Sequence, residues 1–163
     1  MSVAIRDVLP ADAEAICAIY NPHVCKTTVS FEEVAVSVDE MRGRIASISA
    51  ILPWLVAERD GEILGYAYAA RLFDRSGYRF CAMSTIYMHD EAQRAGIGFS
   101  LYGNLLTRLR EKSIRSAVGI IALPNPASIA LHEKCGFKKA GHIAEAGFKF
   151  GRWIDVGYWQ VLL

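Results

Sequence analysis

The chain has little net charge and no apolar run long enough to cross a bilayer. Lysine and arginine total 18 against 17 aspartate and glutamate, for a net charge of +1. This balance gives no electrostatic pull toward nucleic acid or an anionic membrane, so neither is expected as a partner. A spanning helix needs roughly 20 consecutive apolar residues, which the sequence lacks. The first residues also lack the basic and apolar blocks of a secretory signal, so we expect a cytoplasmic protein.

Cysteine is scarce and scattered. The four cysteines, Cys17, Cys25, Cys81 and Cys135, form no Cys-x-x-Cys pair and no metal-like spacing with the histidines. We interpret them as reduced, mostly buried thiols rather than as a redox centre, and we expect no metal.

Size and composition fit one compact domain. The 163 residues are 53% hydrophobic, which is enough for one sizeable core. The sequence contains no internal repeat, low-complexity tract or linker. A single domain is therefore predicted to span residues 1–163.

Hydrophobic periodicity predicts seven strands and four helices in the order βααβββαβαββ. The predicted strands are residues 4–6, 54–58, 63–69, 80–88, 117–123, 140–144 and 153–161. The predicted helices are residues 12–20, a segment that begins at Ser37, a segment that ends at about Lys112, and residues 127–134. This order predicts an α/β (α+β) fold with a mixed sheet that is part antiparallel and part parallel.

Turn and capping residues set several boundaries. Asn21-Pro22 is expected to end the first helix, because proline cannot donate the next helical hydrogen bond. Residues 37–40 have the spacing of a capping box. Asp60-Gly61 predicts a tight hairpin, and Gly147 and Gly151 predict a turn between the last two strands.

A loop of small residues joins the fourth predicted strand to an amphipathic helix. Its residues are Gln93, Arg94, Ala95, Gly96, Ile97 and Gly98. Free N–H groups and the helix dipole at such a place favour a phosphate or pyrophosphate. The pattern alone is equally typical of an ordinary strand-to-helix turn.

Together with two later motifs, this loop resembles the GCN5-related N-acetyltransferase superfamily. The superfamily's acyl-CoA loop reads Gln/Arg-x-x-Gly-x-Gly/Ala. Asn125-Pro126-Ala127-Ser128 follows it about 30 residues later, and residues 131–137 close a short helix. Residues 146–160, with Gly-x-Lys-x-Gly-x-Trp-x-Asp, resemble more narrowly the phosphinothricin and methionine sulfone/sulfoximine acetyltransferase family.

The resemblance implies an acyl-CoA N-acyltransferase fold, with a splayed parallel strand pair and helices on both faces of the sheet. Acetyl-CoA is the implied cosubstrate. Its pantetheine arm would pair with the backbone of Ile86, Tyr87 and Met88, and its pyrophosphate would lie in the 93–98 loop. Asn125 is either a pantetheine contact or a turn former. Ser128 is a helix cap, a cosubstrate contact, or both.

The resemblance also bears on catalysis. His132 stands where many superfamily members have a tyrosine that protonates the departing thiolate, and histidine titrates in the required range. The alternative is a histidine packed against the sheet. Tyr87 is a second donor candidate or a core aromatic. Met83 replaces the glutamate that the family uses as its proposed base. Three explanations stay open: an acceptor amine of low pKa, a water relay, or impaired catalysis.

The acceptor implied by the resemblance is a small amino-acid-like amine. Arg79 is a candidate clamp for its carboxylate, because guanidinium binds carboxylate through two parallel hydrogen bonds. The alternative is an exposed loop arginine. The other candidate residues are Phe31, Arg75, Gly77, Tyr78, Lys149 and Trp153.

The sequence alone does not fix the oligomeric state or the reaction. The resembled family forms homodimers with acceptor pockets near the interface, so a homodimer is expected. Two other functions stay possible: a CoA-binding protein with weak or lost catalysis, suggested by Met83, and a protein or peptide N-acetyltransferase on the same fold.

Overall fold

The computed structural model describes residues 2–92 and 96–163, so the predicted loop residues Gln93, Arg94 and Ala95 lie outside the described residues. The described residues form seven strands and four α-helices. The strands are β1 (Ala4–Asp7), β2 (Trp54–Arg59), β3 (Glu62–Arg71), β4 (Cys81–Met88), β5 (Ser116–Ala122), β6 (Lys138–Lys149) and β7 (Arg152–Leu162). The helices are α1 (Ala13–Lys26), α2 (Val38–Ser49), α3 (Ile97–Glu111) and α4 (Pro126–Lys134).

All seven strands form one sheet in the order β1-β2-β3-β4-β5-β7-β6. The pair β4 and β5 is parallel, and the other neighbouring pairs are antiparallel. The predicted mixed sheet and element order are confirmed. A parallel pair needs a crossover connection, and α3 supplies it between these two strands.

Helices cover both faces of the sheet, as predicted. On one face α3 buries Leu101, Leu105 and Leu109 against the strands. Their spacing follows the 3.6-residue helical period, so one stripe of α3 meets the sheet. On the other face α1 and α2 bury a second cluster that includes Ile16 and Ile45. The sheet thus separates two apolar cores.

The first predicted helix boundary is wrong. Helix α1 continues through Pro22 to Lys26. Proline removes one helical hydrogen bond, but contacts on both sides of it compensate. The Asn21 side chain donates to Val36 O at 3.0 Å and accepts from Val36 N at 2.9 Å, and Val24 is fully buried. The additional turn carries the side chains after Pro22 toward the end of β4.

The predicted turn around Gly147 and Gly151 is also misplaced at its first residue. Strand β6 extends to Lys149, and the chain reverses at Phe150 and Gly151, whose φ angles are 52° and 72°. Gly147 lies within the strand, and a glycine is needed there because a Cβ atom would overlap the ring of Phe31. The glycine serves close packing between two segments rather than a turn.

The predicted hairpin turn is confirmed, and the predicted capping box is confirmed in part. Asp60 and Gly61 both have positive φ, 53° and 86°, as a tight hairpin turn between β2 and β3 requires. Ser37 Oγ accepts from Glu40 N at 3.1 Å and caps α2. The Glu40 carboxylate bonds Arg44, one turn further along, instead of returning to Ser37 N, so only half of the predicted capping box forms. Within the described residues, no helix combines the length and apolar character needed to cross a membrane.

Candidate functional site

The two parallel strands separate toward their carboxyl ends. Their pairing runs from Cys81 with Ser116 to Ser84 with Gly119 and stops there. Beyond this point β4 stays paired with β3 as far as Met88, and β5 stays paired with β7 as far as its last residue. The facing edges of β4 and β5 therefore diverge and leave backbone groups available to a third, extended partner.

A cleft of about 550 Å³ opens at this gap. Its walls are the end of β4, the N-termini of α3 and α4, and the last part of α1. Seven residues predicted to bind acetyl-CoA line it together: Ile86, Tyr87, Met88, Gly96, Gly98, Asn125 and Ser128. Seven further lining residues were not predicted to do so: His23, Val29, Ala92, Phe99, Ala127, Leu131 and Lys134.

The N-terminus of α3 gives the cleft an anion-binding character. Gly96 caps the helix with a φ of 76°, and the bond from Ser100 N to Gly96 O, 3.1 Å long, closes the first turn. The N–H groups of Gly98 and Phe99 therefore have no partner within the helix, and both residues line the cleft. The side chain of Ile97 is instead buried in the core, so only its backbone is available.

Asn125 and Ser128 begin α4. Asn125 Oδ1 accepts from Ser128 N at 3.1 Å, which caps the helix, and its Nδ2 makes no hydrogen bond with the described residues. Asn125 Oδ1 thus acts as the helix cap, and Asn125 Nδ2 remains available to donate to a ligand. At the end of α4, Lys134 Nζ lies 4.7 Å from the centre of the Phe99 ring and adds positive charge to the cleft.

His132 lies behind the point where the strands separate and belongs to a buried chain of hydrogen bonds. Ser84 Oγ is 2.7 Å from Tyr102 Oη, Tyr102 Oη is 3.0 Å from His132 Nε2, and His132 Nδ1 is 2.7 Å from Ser128 O. The carbonyl can only accept, so Nδ1 carries the proton, Nε2 accepts from Tyr102, and Tyr102 accepts from Ser84.

This environment favours a neutral His132. The residue is 4% exposed, and burial lowers its pKa. A Cβ atom at Gly119 would overlap its ring, so the imidazole fits against β5 only because a glycine stands there. The geometry favours the packed interpretation, in which His132 holds α4 against the strand pair; its role as proton donor stays a prediction.

Met83 lies on the face of β4 that meets α1, together with Tyr87. Tyr87 lines the cleft and packs against Tyr20 and His23, with ring centres 5.1 and 5.2 Å away. Burial raises the pKa of Tyr87 well above its ordinary value, so its hydroxyl stays protonated at neutral pH. The thioether of Met83 accepts protons too weakly to replace a carboxylate.

Two of the predicted acceptor residues, Phe31 and Lys149, come together beside the end of α1, but neither lines the cleft. Phe31 packs against Gly147, and Lys149, two residues later, is 1% exposed. Lys149 Nζ donates to Val24 O and Ser30 O, both at 2.6 Å. Burial lowers the pKa of this amine. Lys149 therefore ties the β6–β7 hairpin to α1 and to the loop that follows it.

Trp153 lies on the same hairpin as Lys149 but faces outward. It is 63% exposed, and its ring centre lies 4.8 Å from that of Phe148. Its packing partner is thus a neighbour on the hairpin, and the indole is not among the residues that line the cleft.

The remaining acceptor candidates lie at the opposite end of the sheet. Residues 76–78 form a short helical turn before β4, and Arg79 follows it. The Arg79 guanidinium donates to Ser76 O at 3.1 Å and lies 4.5 Å from the centre of the Phe80 ring. Arg79 lies in the turn before β4, which begins at Cys81, and the three strand steps from Cys81 to Ser84 alone span about 10 Å. Within one chain, the cleft is not lined by any of these candidates, which are Arg75, Gly77, Tyr78 and Arg79.

Replacing Lys149 by methionine should destabilise the fold by about 2–4 kcal/mol, because two buried carbonyls would lose their donor. Urea unfolding measures this loss. Lys138→Met, an exposed change on the same strand, is the matched control and should leave stability within about 0.5 kcal/mol of wild type. Equal urea midpoints for the two variants would contradict a stabilising role for the Lys149 hydrogen bonds.

Comparisons with known proteins agree with this geometry. Residues 5–157 match the family model described as Acetyltransferase (GNAT) domain. The chain is 45% identical to a phosphinothricin N-acetyltransferase of Alcaligenes faecalis over 153 residues, covering 93% of this chain and 78% of that protein. It is 35% identical to an L-methionine sulfoximine/L-methionine sulfone acetyltransferase of Pseudomonas paraeruginosa, covering 100% and 96%.

A solved structure shows the same fold. The crystal structure of a phosphinothricin acetyltransferase from Sinorhizobium meliloti in complex with AcCoA superposes with a TM-score of 0.95 at 36% identity. The match covers 100% of this chain and 89% of that one. The chain thus belongs to the GNAT acetyltransferase family and is an N-acetyltransferase that uses acetyl-CoA.

Proposed function

We propose that the acceptor is the amine of a small amino-acid-like compound of the methionine sulfoximine, methionine sulfone or phosphinothricin type. The names of the two relatives support this substrate class. The observation that carries this proposal is the pair of hydrogen bonds from Lys149 to Val24 O and Ser30 O, together with the packing of Phe31 on Gly147. These contacts hold the β6–β7 hairpin beside the cleft wall that His23 and Val29 form, which favours a compact acceptor over an extended peptide.

The reaction joins the neutral acceptor nitrogen to the acetyl carbonyl carbon while the bond from that carbon to sulfur breaks; the nitrogen gives up a proton, and the departing CoA thiolate takes one up. Acetyl-CoA supplies the activated acetyl group. The chain contributes an extended edge at Ile86–Met88, N–H groups at Gly98 and Phe99, and the cleft between them. Holding two reactants in attack geometry supplies about 7–11 kcal/mol in favourable cases, so positioning is its main contribution.

The acceptor ammonium must lose a proton before it attacks, and position 83 provides no base. We therefore expect kcat/KM to rise with pH up to the pKa of the acceptor amine. Met83→Glu should raise the rate near neutral pH by about 10²-fold, the lower end of general-base effects, and should flatten this rise. Met83→Gln, which has the same shape without the basic oxygen, is the control. A glutamate variant no faster than the glutamine variant would exclude a missing base at this position.

Arg79 provides the acceptor's carboxylate clamp only if it comes from a second chain, because its own cleft is out of reach. We propose a homodimer in which the exposed loop of Phe73, Tyr78, Arg79 and Phe80 covers the acceptor side of the partner. These three aromatic side chains are 55%, 43% and 46% exposed. A cytoplasmic location also stays a prediction.

Subunit mixing tests this arrangement. Arg79→Gln should raise the KM for a carboxylate-bearing acceptor by about tenfold or more and leave the KM for acetyl-CoA unchanged. Gly98→Glu should impair acetyl-CoA binding. Coexpressing the two variants should restore activity, because mixed dimers contain one intact site. A monomer in sedimentation, or no recovery in verified mixed dimers, would contradict an Arg79 that acts across an interface.

The acceptor class itself is tested by thiol release from acetyl-CoA over a panel of amino acids, their sulfoximine, sulfone and phosphinic analogues, and short peptides. The proposal expects the highest kcat/KM for one of the analogues. A peptide that exceeds every free amino acid would favour a protein acetyltransferase. Acetyl-CoA binding without turnover on any acceptor would favour a protein with lost catalysis.

A further inference from the structure

His23 is a titratable side chain at the cleft that none of the assignments above uses. It lies on the turn of α1 that follows Pro22 and lines two adjoining spaces. One is the acetyl-CoA cleft. The other is a cavity of about 270 Å³ between α1 and the end of β4, also lined by Lys26, His89 and Asp90. The imidazole therefore forms part of the wall between them.

The surroundings fix the ring of His23. It packs against the Tyr87 ring at 5.2 Å with an interplanar angle of 42°. Its Nδ1 is buried and makes no hydrogen bond with residues 2–92 and 96–163. Burial lowers the pKa of His23, although the charge of Asp90 acts in the opposite direction. The ring is therefore neutral near pH 7.

A neutral imidazole has one donor and one acceptor nitrogen. A buried N–H without a partner is rarer in proteins than an acceptor left without one, so the proton belongs on Nε2 rather than on the buried Nδ1. Within the described part of the chain, Nε2 has no hydrogen-bond partner either. His23 thus presents an unused N–H donor beside Tyr87.

We infer that His23 donates this hydrogen bond to an amide carbonyl of the pantetheine arm and is a cosubstrate-positioning residue. The inference rests on acetyl-CoA occupying the cleft. Gly98, Phe99 and Lys134 form the end of the cleft suited to the phosphates. His23 instead adjoins Tyr87 and Met88, at the end of the strand edge that suits the extended arm. An amide carbonyl is an acceptor that matches the unused donor.

The test distinguishes a contact with the pantetheine arm from a contact with the nucleotide. Calorimetry compares acetyl-CoA with adenosine 3′,5′-bisphosphate, which lacks the arm, on wild type, His23→Phe and His23→Gln. Phenylalanine keeps the contact with Tyr87 but cannot donate, whereas glutamine restores an N–H. His23→Phe should weaken acetyl-CoA binding about five- to tenfold and leave the bisphosphate unchanged. His23→Gln should recover most of the affinity.

Other outcomes are equally decisive. Equal weakening of both ligands by His23→Phe would indicate a general change in the cleft and overturn the inference, as would unchanged acetyl-CoA affinity. A glutamine variant as weak as the phenylalanine variant would also count against a hydrogen bond. Failure of wild type to bind either ligand would instead contradict the acetyl-CoA cleft itself.

Discussion

A Gly98→Glu variant should bind acetyl-CoA about 100-fold more weakly than wild type. The new carboxylate would project from the first turn of α3 into the cleft, where a phosphate-bearing ligand would lie. Two like charges about 5 Å apart near a protein surface repel by roughly 3 kcal/mol, which corresponds to about two decades in affinity. A Cβ atom at this position meets its nearest neighbours at 3.6 Å, an ordinary contact, so the fold should tolerate a side chain.

Gly103→Glu is the matched control for this prediction. Gly103 lies on the same helix, and a Cβ atom there has nothing within 4 Å. The control adds the same charge away from the cleft and should keep wild-type affinity within about twofold. Calorimetry on the two variants measures the difference. Similar dissociation constants would mean that the N-terminus of α3 does not face the ligand's phosphates.

Gly119→Ala should destabilise the protein by about 2–3 kcal/mol and reduce turnover. The added methyl would overlap the His132 ring, which has no room to move within its hydrogen-bonded chain. Overpacking of a buried site costs amounts of this order. Gly141→Ala is the control, because its Cβ would lie 3.9 Å from Tyr158 Cβ, an ordinary distance. Urea unfolding of both variants checks the prediction.

A second substitution identifies the cause. If the overlap with His132 is responsible, Gly119→Ala should cost much less in a protein that already carries His132→Ala. Additive losses in the double variant would show that the methyl disturbs β5 for another reason. They would also remove the support for His132 as the residue that holds α4 at the strand separation.

Much of the cleft was predictable because its determinants are local. Gly96 and Gly98 lie where a helix begins after a strand, and Asn125 comes three residues after the neighbouring parallel strand. The carboxyl ends of parallel strands meet at one edge of a sheet, so these positions come together once the fold is known. The alternating side chains of β4 place Met83 and Tyr87 on one face in the same way.

Other parts depend on contacts that are distant in sequence. His23 was missed because Pro22 reads as a helix end, and the pairing of Asn21 with Val36 that sustains α1 is not visible in either segment alone. Lys149 was interpreted as an acceptor contact. Its burial depends on carbonyls of Val24 and Ser30, more than 100 residues earlier.

The acceptor side is the least predictable part, because its candidates separate in the folded chain. Phe31 and Lys149 come together beside the end of α1, whereas Arg79 precedes the first residue of β4. Sequence spacing cannot distinguish an arginine that belongs to its own site from one that serves a second copy.

Backbone NMR during titration with acetyl-CoA shows whether the cosubstrate binds between the separated strands. The amide signals of Gly98 and Phe99, and those of Ile86 to Met88, should shift in a saturable manner. The signal of Gly43 on α2 should not move. Binding with shifts confined to other surfaces, and none at the separated strands or the start of α3, would contradict this mode of binding.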